Sequence, residues 1–345
     1  MNTFKSTTKI LIAIAIILFS NCKNKNDDTH GISVYSMVIL NEGGYLHGNA
    51  EITLYNSTTK TSTQDVFITK NIRPLGDVGQ SIYRYNNRYY IALNNSNKIE
   101  VTDMEINSVQ VFENIEQPRY MAFYENKAYI SSWANNGQIY VLDAVLGTVI
   151  TTIATDSGPE KMLLHNNTLY VANGGGLGYA NTVSVINILT DQLEKNITVG
   201  DNPKEIVLQD NNHIWVLNAG KYSADWTEIT GKGLMLVNTV TGEIEKTFDI
   251  PSNSSELNSL LIKDGILYFN HSGVYKMSIN SATLPAEPLI NQYYNGIQFD
   301  DNKTNLYGFT GNWSTSGNVV VIDIQTDNVI ETIKAGVAPR SIILK

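Results

Sequence analysis

The chain has 345 residues, a formal net charge of -9 and apolar side chains at 42% of positions. That length is enough to bury a sizeable core, and an acidic balance without a basic cluster lacks the electrostatic footprint of a nucleic-acid binder. One cysteine, Cys22, excludes an intrachain disulfide, so the fold must rest on its core alone.

Residues 1-21 read as a lipoprotein signal peptide. Lys5 and Lys9 precede the apolar run Ile10 to Phe19, which is too short to span a bilayer but suits a signal-peptide core. Phe19-Ser20-Asn21-Cys22 then resembles a bacterial lipobox, in which the Cys22 thiol is acylated and anchors the chain to a membrane. A plain secretory signal with an incidental cysteine is the alternative. Residues 22-32 are polar and aperiodic, a lipidated flexible tether. Lys23 followed soon by Asp27-Asp28 resembles the surface-export signals of Bacteroidetes lipoproteins, which favours the outward-facing leaflet. Without residues 1-21 the chain keeps 22 basic against 33 acidic residues, a net charge of -11.

From Ser33 onward one pattern of about forty residues repeats. It runs from an apolar stretch through a polar turn, a second strand, a Gly- or Asn-rich loop, an alternating third strand and a fourth strand. The clearest copy is Pro159 to Gly200, with Leu169-Tyr170-Val171-Ala172-Asn173 and Val183-Ser184-Val185-Ile186-Asn187 as its second and third strands. Copies begin at Pro118 and Pro203, a last full copy includes Asn305 to Ile333, and weaker ones fill Leu75 to Gln117 and Glu256 to Gln292. Pro339 to Lys345 matches a first strand with nothing after it. Ser33 to Leu40, Ala50 to Tyr55 and Gln64 to Thr69 read as second, third and fourth strands with no first. Residues 33-345 are therefore expected to form an all-β, seven-bladed β-propeller of four-stranded antiparallel blades, blade 1 being closed by the C-terminal strand. Such closure removes the open sheet edges.

Tyr90, Tyr129, Tyr170, Trp215, Tyr268 and Tyr307 recur at one blade position and are expected in the core. The other tryptophans, Trp133, Trp226 and Trp313, fall in polar, Gly-rich loops between second and third strands. Tyr45 and His47, Tyr179 and His271 occupy the matching loops of blades 1, 4 and 6, and the links between blades add Arg73, Arg119, Tyr120, Lys204, Tyr293, Tyr294 and Arg340. These loops and links share one rim of a propeller. The expected ligand-binding set is Tyr45, His47, Arg119, Tyr120, Trp133, Tyr179, Tyr222, Trp226, Tyr294, Trp313 and Arg340. Amphipathic rings with Arg and Asn donors around one mouth suit a large, flat, partly polar guest. A single loop aromatic often only packs against its neighbour, so the reading rests on convergence. The three loop tryptophans are expected to add little to blade packing, and the long blade 5 loop, Asn218 to Gly233, to overhang this face.

Catalytic arrangements are weak. No Ser-His-Asp order has a nucleophile-elbow context, and there is no His-Glu-x-x-His run or Cys-His zinc spacing. Gly174-Gly175-Gly176 lies between strands rather than at a strand-to-helix turn, which argues against a phosphate cradle. His47 and His271 fit hydrogen bonding to water or backbone better than metal ligation, and Asp300-Asp301 reads as a hairpin turn rather than a calcium loop. No catalytic residue, metal or cofactor is expected. Two other classes stay open: a propeller enzyme of lyase or lactonase type, with His47, His271, Glu160 and Asp225 as acid-base suspects, and a cell-surface protein-interaction propeller.

The repeats resemble the Tyr-Val-Thr-Asn type of seven-bladed propeller found in YncE-like and surface-layer proteins, Tyr170-Val171-Ala172-Asn173 being the nearest copy. More specifically, Leu40-Asn41-Glu42-Gly43-Gly44-Tyr45-Leu46-His47-Gly48-Asn49-Ala50 followed by Pro74-Leu75-Gly76-Asp77-Val78-Gly79-Gln80-Ser81 resembles the BtuG-like, cobalamin-capturing surface lipoproteins of Bacteroidetes. So do Asn94-Asn95-Ser96-Asn97-Lys98-Ile99 and Pro118-Arg119-Tyr120, and the resemblance covers the whole mature chain. It implies a non-enzymatic lipoprotein, anchored in the outer membrane and facing the exterior. Such a protein binds a corrinoid on one propeller face and passes it to a TonB-dependent outer-membrane transporter, the corrinoid being ligand rather than cofactor. Corrinoids are broad, rigid macrocycles fringed with amides, which Trp and Tyr rings and Asn and Arg donors can meet.

Overall fold

Side chains of a strand alternate between its two faces, and here both faces are used. In the second strand of blade 2, Arg88–Leu93, Tyr89, Ile91 and Leu93 pack toward blade 1 while Tyr90 and Ala92 pack toward blade 3. A sheet covered on both sides reads as a near-continuous apolar run, which is what the sequence shows at each second strand. The structure, a computed structural model, describes residues 35-345 apart from Ser254 and Asp301. The expected signal peptide, acylated Cys22, tether and Ser33 lie outside these residues.

Seven sheets form the ring. Blades 2, 3, 4, 5 and 7 are four-stranded antiparallel meanders in chain order. Blade 1 is assembled from both ends of the chain, with Pro339–Leu344 innermost, followed by Met37–Asn41, Glu51–Asn56 and Thr61–Thr63. Its closing register pairs Met37 with Leu344 and Ile39 with Ile342. Each inner strand touches the next around the circle, and blade 7 meets Pro339–Leu344 of blade 1. Among the described residues seven apolar clusters fill the seven interfaces between neighbouring blades. Tyr90, Tyr129, Tyr170, Trp215, Tyr268 and Tyr307 are all buried, each in the interface with the following blade. The Tyr90 hydroxyl donates to the Ala144 carbonyl (2.9 Å) and that of Tyr129 to Ile188 (3.1 Å), so each satisfies its polar tip on the neighbouring blade.

Two blades depart from the expected pattern. Gln64 to Thr69 is not a strand: the fourth strand of blade 1 ends at Thr63 and a short helix, Val66–Asn71, follows. The Glu51 carboxylate accepts the backbone N–H groups of Phe67 (2.6 Å) and Ile68 (3.1 Å), satisfying donors that a helix start leaves unpaired. Phe67 is then buried between blades 1 and 2. Blade 6 has three strands among the described residues, Asn258–Lys263, Ile266–Asn270 and Val274–Ser278, and its fourth position is reduced to one bridge between Val274 and Ile290. Pro285 and Pro288 fall in the segment that would supply that strand, where proline removes ladder donors.

Candidate functional site

Loops joining second to third strands and links between blades meet in an unbroken circuit around one end of the ring. Asp77, in the link to blade 2, accepts the N–H groups of Leu46 (3.0 Å) and Gly48 (3.4 Å) and the Asn95 amide (2.5 Å). Asn94 donates to the Pro118 carbonyl (3.2 Å) and the Gln117 N–H to Asn97 (2.9 Å), joining blade 2 to blade 3. Trp133 of blade 3 lies against Gly176 of blade 4. The Tyr222 N–H of blade 5 donates to the Tyr179 hydroxyl of blade 4 (3.1 Å), and the Tyr222 hydroxyl reaches Glu256 in the link to blade 6 (3.2 Å). Asn258 donates to the Tyr293 hydroxyl (2.8 Å), Asn295 donates to the Gly311 carbonyl (2.7 Å), and Gly44 backs onto the Trp313 carbonyl to complete the circuit. Tyr45, Trp133, Tyr179, Tyr222, Trp226 and Trp313 thus belong to one face.

Inside that rim, the expected polar donors are already engaged. Arg119 forks onto Glu160 (2.9 and 3.1 Å) and donates to Gln80 (2.6 Å). Gln80 donates to the Tyr120 hydroxyl (3.1 Å), which Arg340 also approaches (3.4 Å) while pairing with Glu42 (2.7 Å). Lys161 pairs with Glu205 (2.6 Å) and lies over the Tyr120 ring (5.7 Å). Three cations and three carboxylates from blades 1, 3, 4 and 5 therefore neutralise one another at the mouth of the ring. A forked Arg-carboxylate bond is strong and directional, and Arg119 and Glu160 are both largely withdrawn from water. Arg119, Tyr120 and Arg340 form a fixed polar floor rather than free arms. Arg73, in the link between blades 1 and 2, is likewise held by Glu100 (2.7 Å) and Ser108 (2.9 Å) and lies over the Phe67 ring.

A pocket of about 490 Å³ opens between the blade 3 and blade 4 loops, lined by Gln117, Trp133, Asn136, Ser157, Leu177 and Tyr179 among others. Its floor is bare backbone. A Cβ at Gly158 (φ 61°) would fall 1.8 Å from the Gly176 nitrogen, so only glycine lets these loops lie together. Trp133 is half-buried, with its ring 4.0 Å from the Arg119 guanidinium and its Nε1 without a partner. The expectation that it adds little to packing needs correcting, because it wedges between Arg119 and the Gly-rich loop.

Other rim side chains are held by little. Leu177 is 98% exposed, Leu46 72%, Trp226 71%, Trp313 66% and Tyr45 64%. The long blade 5 loop forms its own hairpin, Lys221–Tyr222 with Ile229–Thr230, and reaches both neighbours through Tyr222. At its tip Trp226 has φ 62°, a left-handed conformation that bulky residues rarely adopt, while its ring leans on Tyr222 at 5.1 Å. His47 Nδ1 sits 3.0 Å from the Tyr45 carbonyl. Tyr294 is fully buried in the interface of blades 6 and 7, and it is the adjacent Tyr293 that is exposed.

His47, His271, Glu160 and Asp225 lie in blades 1, 6, 4 and 5, and no hydrogen bond joins any two of them. His271 is buried; burial, reinforced by the nearby Lys232, holds its imidazole below the usual range. Lys232 is itself fully buried, its ammonium donating to Asn253 Oδ1 (2.6 Å) and the Ser255 carbonyl (2.8 Å), and burial pulls it down to about 8. Among the described residues no three His, Cys, Asp or Glu side chains are grouped to hold a metal.

Sequence reasoning missed Glu42, Gln80, Leu46, Leu177 and Glu256. Leu46 and Leu177 carried a signal, as apolar residues in otherwise polar, Gly-rich loops. The acids and Gln80 carried none, because their importance is set by partners distant in the sequence: Arg340 for Glu42, Arg119 and Tyr120 for Gln80, Tyr222 and Tyr293 for Glu256.

Seven radial sheets with an aromatic rim over a polar mouth define the chain as a β-propeller. It belongs to the family described as a domain of unknown function (DUF5074), whose model matches residues 35–337. Among solved structures, hydrazine synthase of Kuenenia stuttgartiensis is similar at 12% identity, covering 75% of this chain and 87% of that one with a TM-score of 0.57. The computationally designed protein Ika8 is similar at 14% identity, covering 88% and 90% (TM-score 0.56). The WD40 propeller domain of Doa1 is similar at 12% identity, covering 80% and 86% (TM-score 0.57). At such identities the likeness is one of fold. Among curated proteins none matches the chain.

Proposed function

We propose that this face captures a bulky, flat, amide-bearing small molecule of the corrinoid class without transforming it, and that a lipid-anchored protein at the outer membrane passes the guest to a TonB-dependent transporter. One observation carries the reading: loop aromatics of blades 1, 4, 5 and 7 stay exposed on the same face as a neutralised polar floor and a pocket of about 490 Å³. Rings can cover the flat faces of a macrocycle, and Asn136, Gln117 and Ser157 can meet its amide fringe. The segments that resemble the cobalamin-capturing lipoproteins are the ones that dock through Asp77 to shape the blade 1 loop. Leu46 and Leu177 at the outer rim suit contact with a partner protein, in which exposed apolar groups become the buried centre.

Titration with cyanocobalamin and cobinamide, followed by calorimetry and tryptophan quenching, tests the reading. Binding at micromolar ligand or tighter supports it. Neither heat nor quenching at that concentration removes the corrinoid.

A further inference from the structure

On the blade 5 and 6 side of the face one carboxylate has phenol rings beside it and, among the described residues, no cation paired with it. Glu256, exposed in the link between these blades, accepts from the Tyr222 hydroxyl at 3.2 Å and faces that of Tyr293 at 3.5 Å. Tyr222 is tilted against Trp226 at 5.1 Å, and its N–H donates to the Tyr179 hydroxyl. Nearby cations are spent elsewhere: Lys221 pairs with Asp201 at 3.0 Å, and Lys232 lies buried beneath the loop on the Asn253 and Ser255 oxygens. Among the described residues no lysine, arginine or histidine forms an ion pair with Glu256. Other exposed charges on this loop, Asp225 and Glu228, are also negative.

We propose that Tyr179, Tyr222, Trp226 and Tyr293 with Glu256 form a recognition site for an organic cation of the quaternary or alkylated ammonium class. Ring faces carry negative potential and attract such a cation most when its charge is weakly hydrated, and an unpaired carboxylate adds Coulomb attraction at the same point. The left-handed backbone of Trp226 holds a bulky indole out at the loop tip, an arrangement that blade packing does not require. Burial, then the Glu256 charge, pushes the Tyr222 and Tyr293 phenols up, so both stay neutral donors to Glu256 at neutral pH. This inference does not depend on the corrinoid reading, since its ligand, probe and acidic residue are different.

The test titrates the whole protein with choline and with its uncharged isostere 3,3-dimethylbutan-1-ol, followed by calorimetry and tryptophan fluorescence. Choline is expected to bind about tenfold tighter than the isostere. Glu256→Gln should narrow that gap to within about twofold, and Trp226→Ala should weaken choline about fivefold or more. Both side chains are exposed, so an unchanged Tm confirms the fold; should Glu256→Gln unfold, Trp226→Ala carries the test. The proposal is overturned by equal affinity for choline and isostere, by no response to choline up to about 50 mM, or by a folded Glu256→Gln protein that binds choline as the parent does.

Discussion

Tyr120 and Tyr179 belong to the same face of the same ring, yet only one is free. Tyr120 is fixed by Gln80 and Arg340 among charges that cancel, whereas Tyr179 stands half out of the surface with one backbone partner. The contrast holds for the two circles of side chains they belong to. Those of the inner strands spend their polar groups on one another and hold adjacent blades in place. The exposed loop side chains Tyr45, Leu46, Leu177, Trp226 and Trp313 spend little on neighbours, and their surface remains available to a guest. Residue type does not distinguish the circles; the inventory of partners does.

The largest effect should come from breaking the ring on which both circles stand. Removing Pro339 to Lys345 takes the first strand from blade 1, and the Tm is expected to fall by more than about 10 °C in circular dichroism melts. A truncated chain that melts like the parent contradicts the closure. Glu160→Ala comes next, because it leaves Arg119 charged, largely buried and unpaired. Denaturant unfolding should show a loss of about 3-5 kcal/mol, whereas Glu256→Gln on the rim should stay within about 0.5 kcal/mol. Equal costs would erase the distinction between the circles.

Lys232 sharpens the comparison through pH. Its amine is held near 8 in the folded protein against an ordinary value of 10.5, so between these values the unfolded chain binds the extra proton and stability rises with pH. The slope approaches 1.36 kcal/mol per pH unit at most. Above about pH 10 buried tyrosines such as Tyr35 and Tyr129, whose folded values are raised by burial, reverse the trend as they ionise in the unfolded chain. The window is therefore about pH 8 to 10, and Lys232→Met should lack the rise seen in the parent when Tm is measured across it. A parallel rise in both proteins would place the buried charge elsewhere. The tryptophans divide in the same way: Trp133→Ala should cost about 2 kcal/mol, and the smallest losses, under about 0.5, belong to Trp226→Ala and Trp313→Ala.

Much of the scaffold was readable in the sequence, because strand alternation, the repeated Tyr or Trp and the orphan first strand at Pro339 are local signals. The helix at Val66–Asn71 was not, since its start is satisfied by Glu51, at the head of the third strand of blade 1 and 16 residues upstream of Phe67. The missing fourth strand of blade 6 had a trace in Pro285 and Pro288. That the loop aromatics share one face was readable from the repeat, as the circuit from Asp77 to Trp313 shows. Which members are free was not: Arg119 and Arg340 meet Glu160 and Glu42 only after folding, and Tyr293 and Tyr294 exchange roles through a side-chain alternation that no loop pattern specifies.

The outer circle is proposed as a binding surface that the fold does not need. Calorimetric titration of cyanocobalamin into the parent and into Trp226→Ala/Trp313→Ala, with Tm measured alongside, tests this most directly. The expected result is micromolar or tighter binding by the parent and a loss of at least about tenfold in the double variant at an unchanged Tm. A parent that takes up no cyanocobalamin, or a double variant that binds it equally well, would contradict the account.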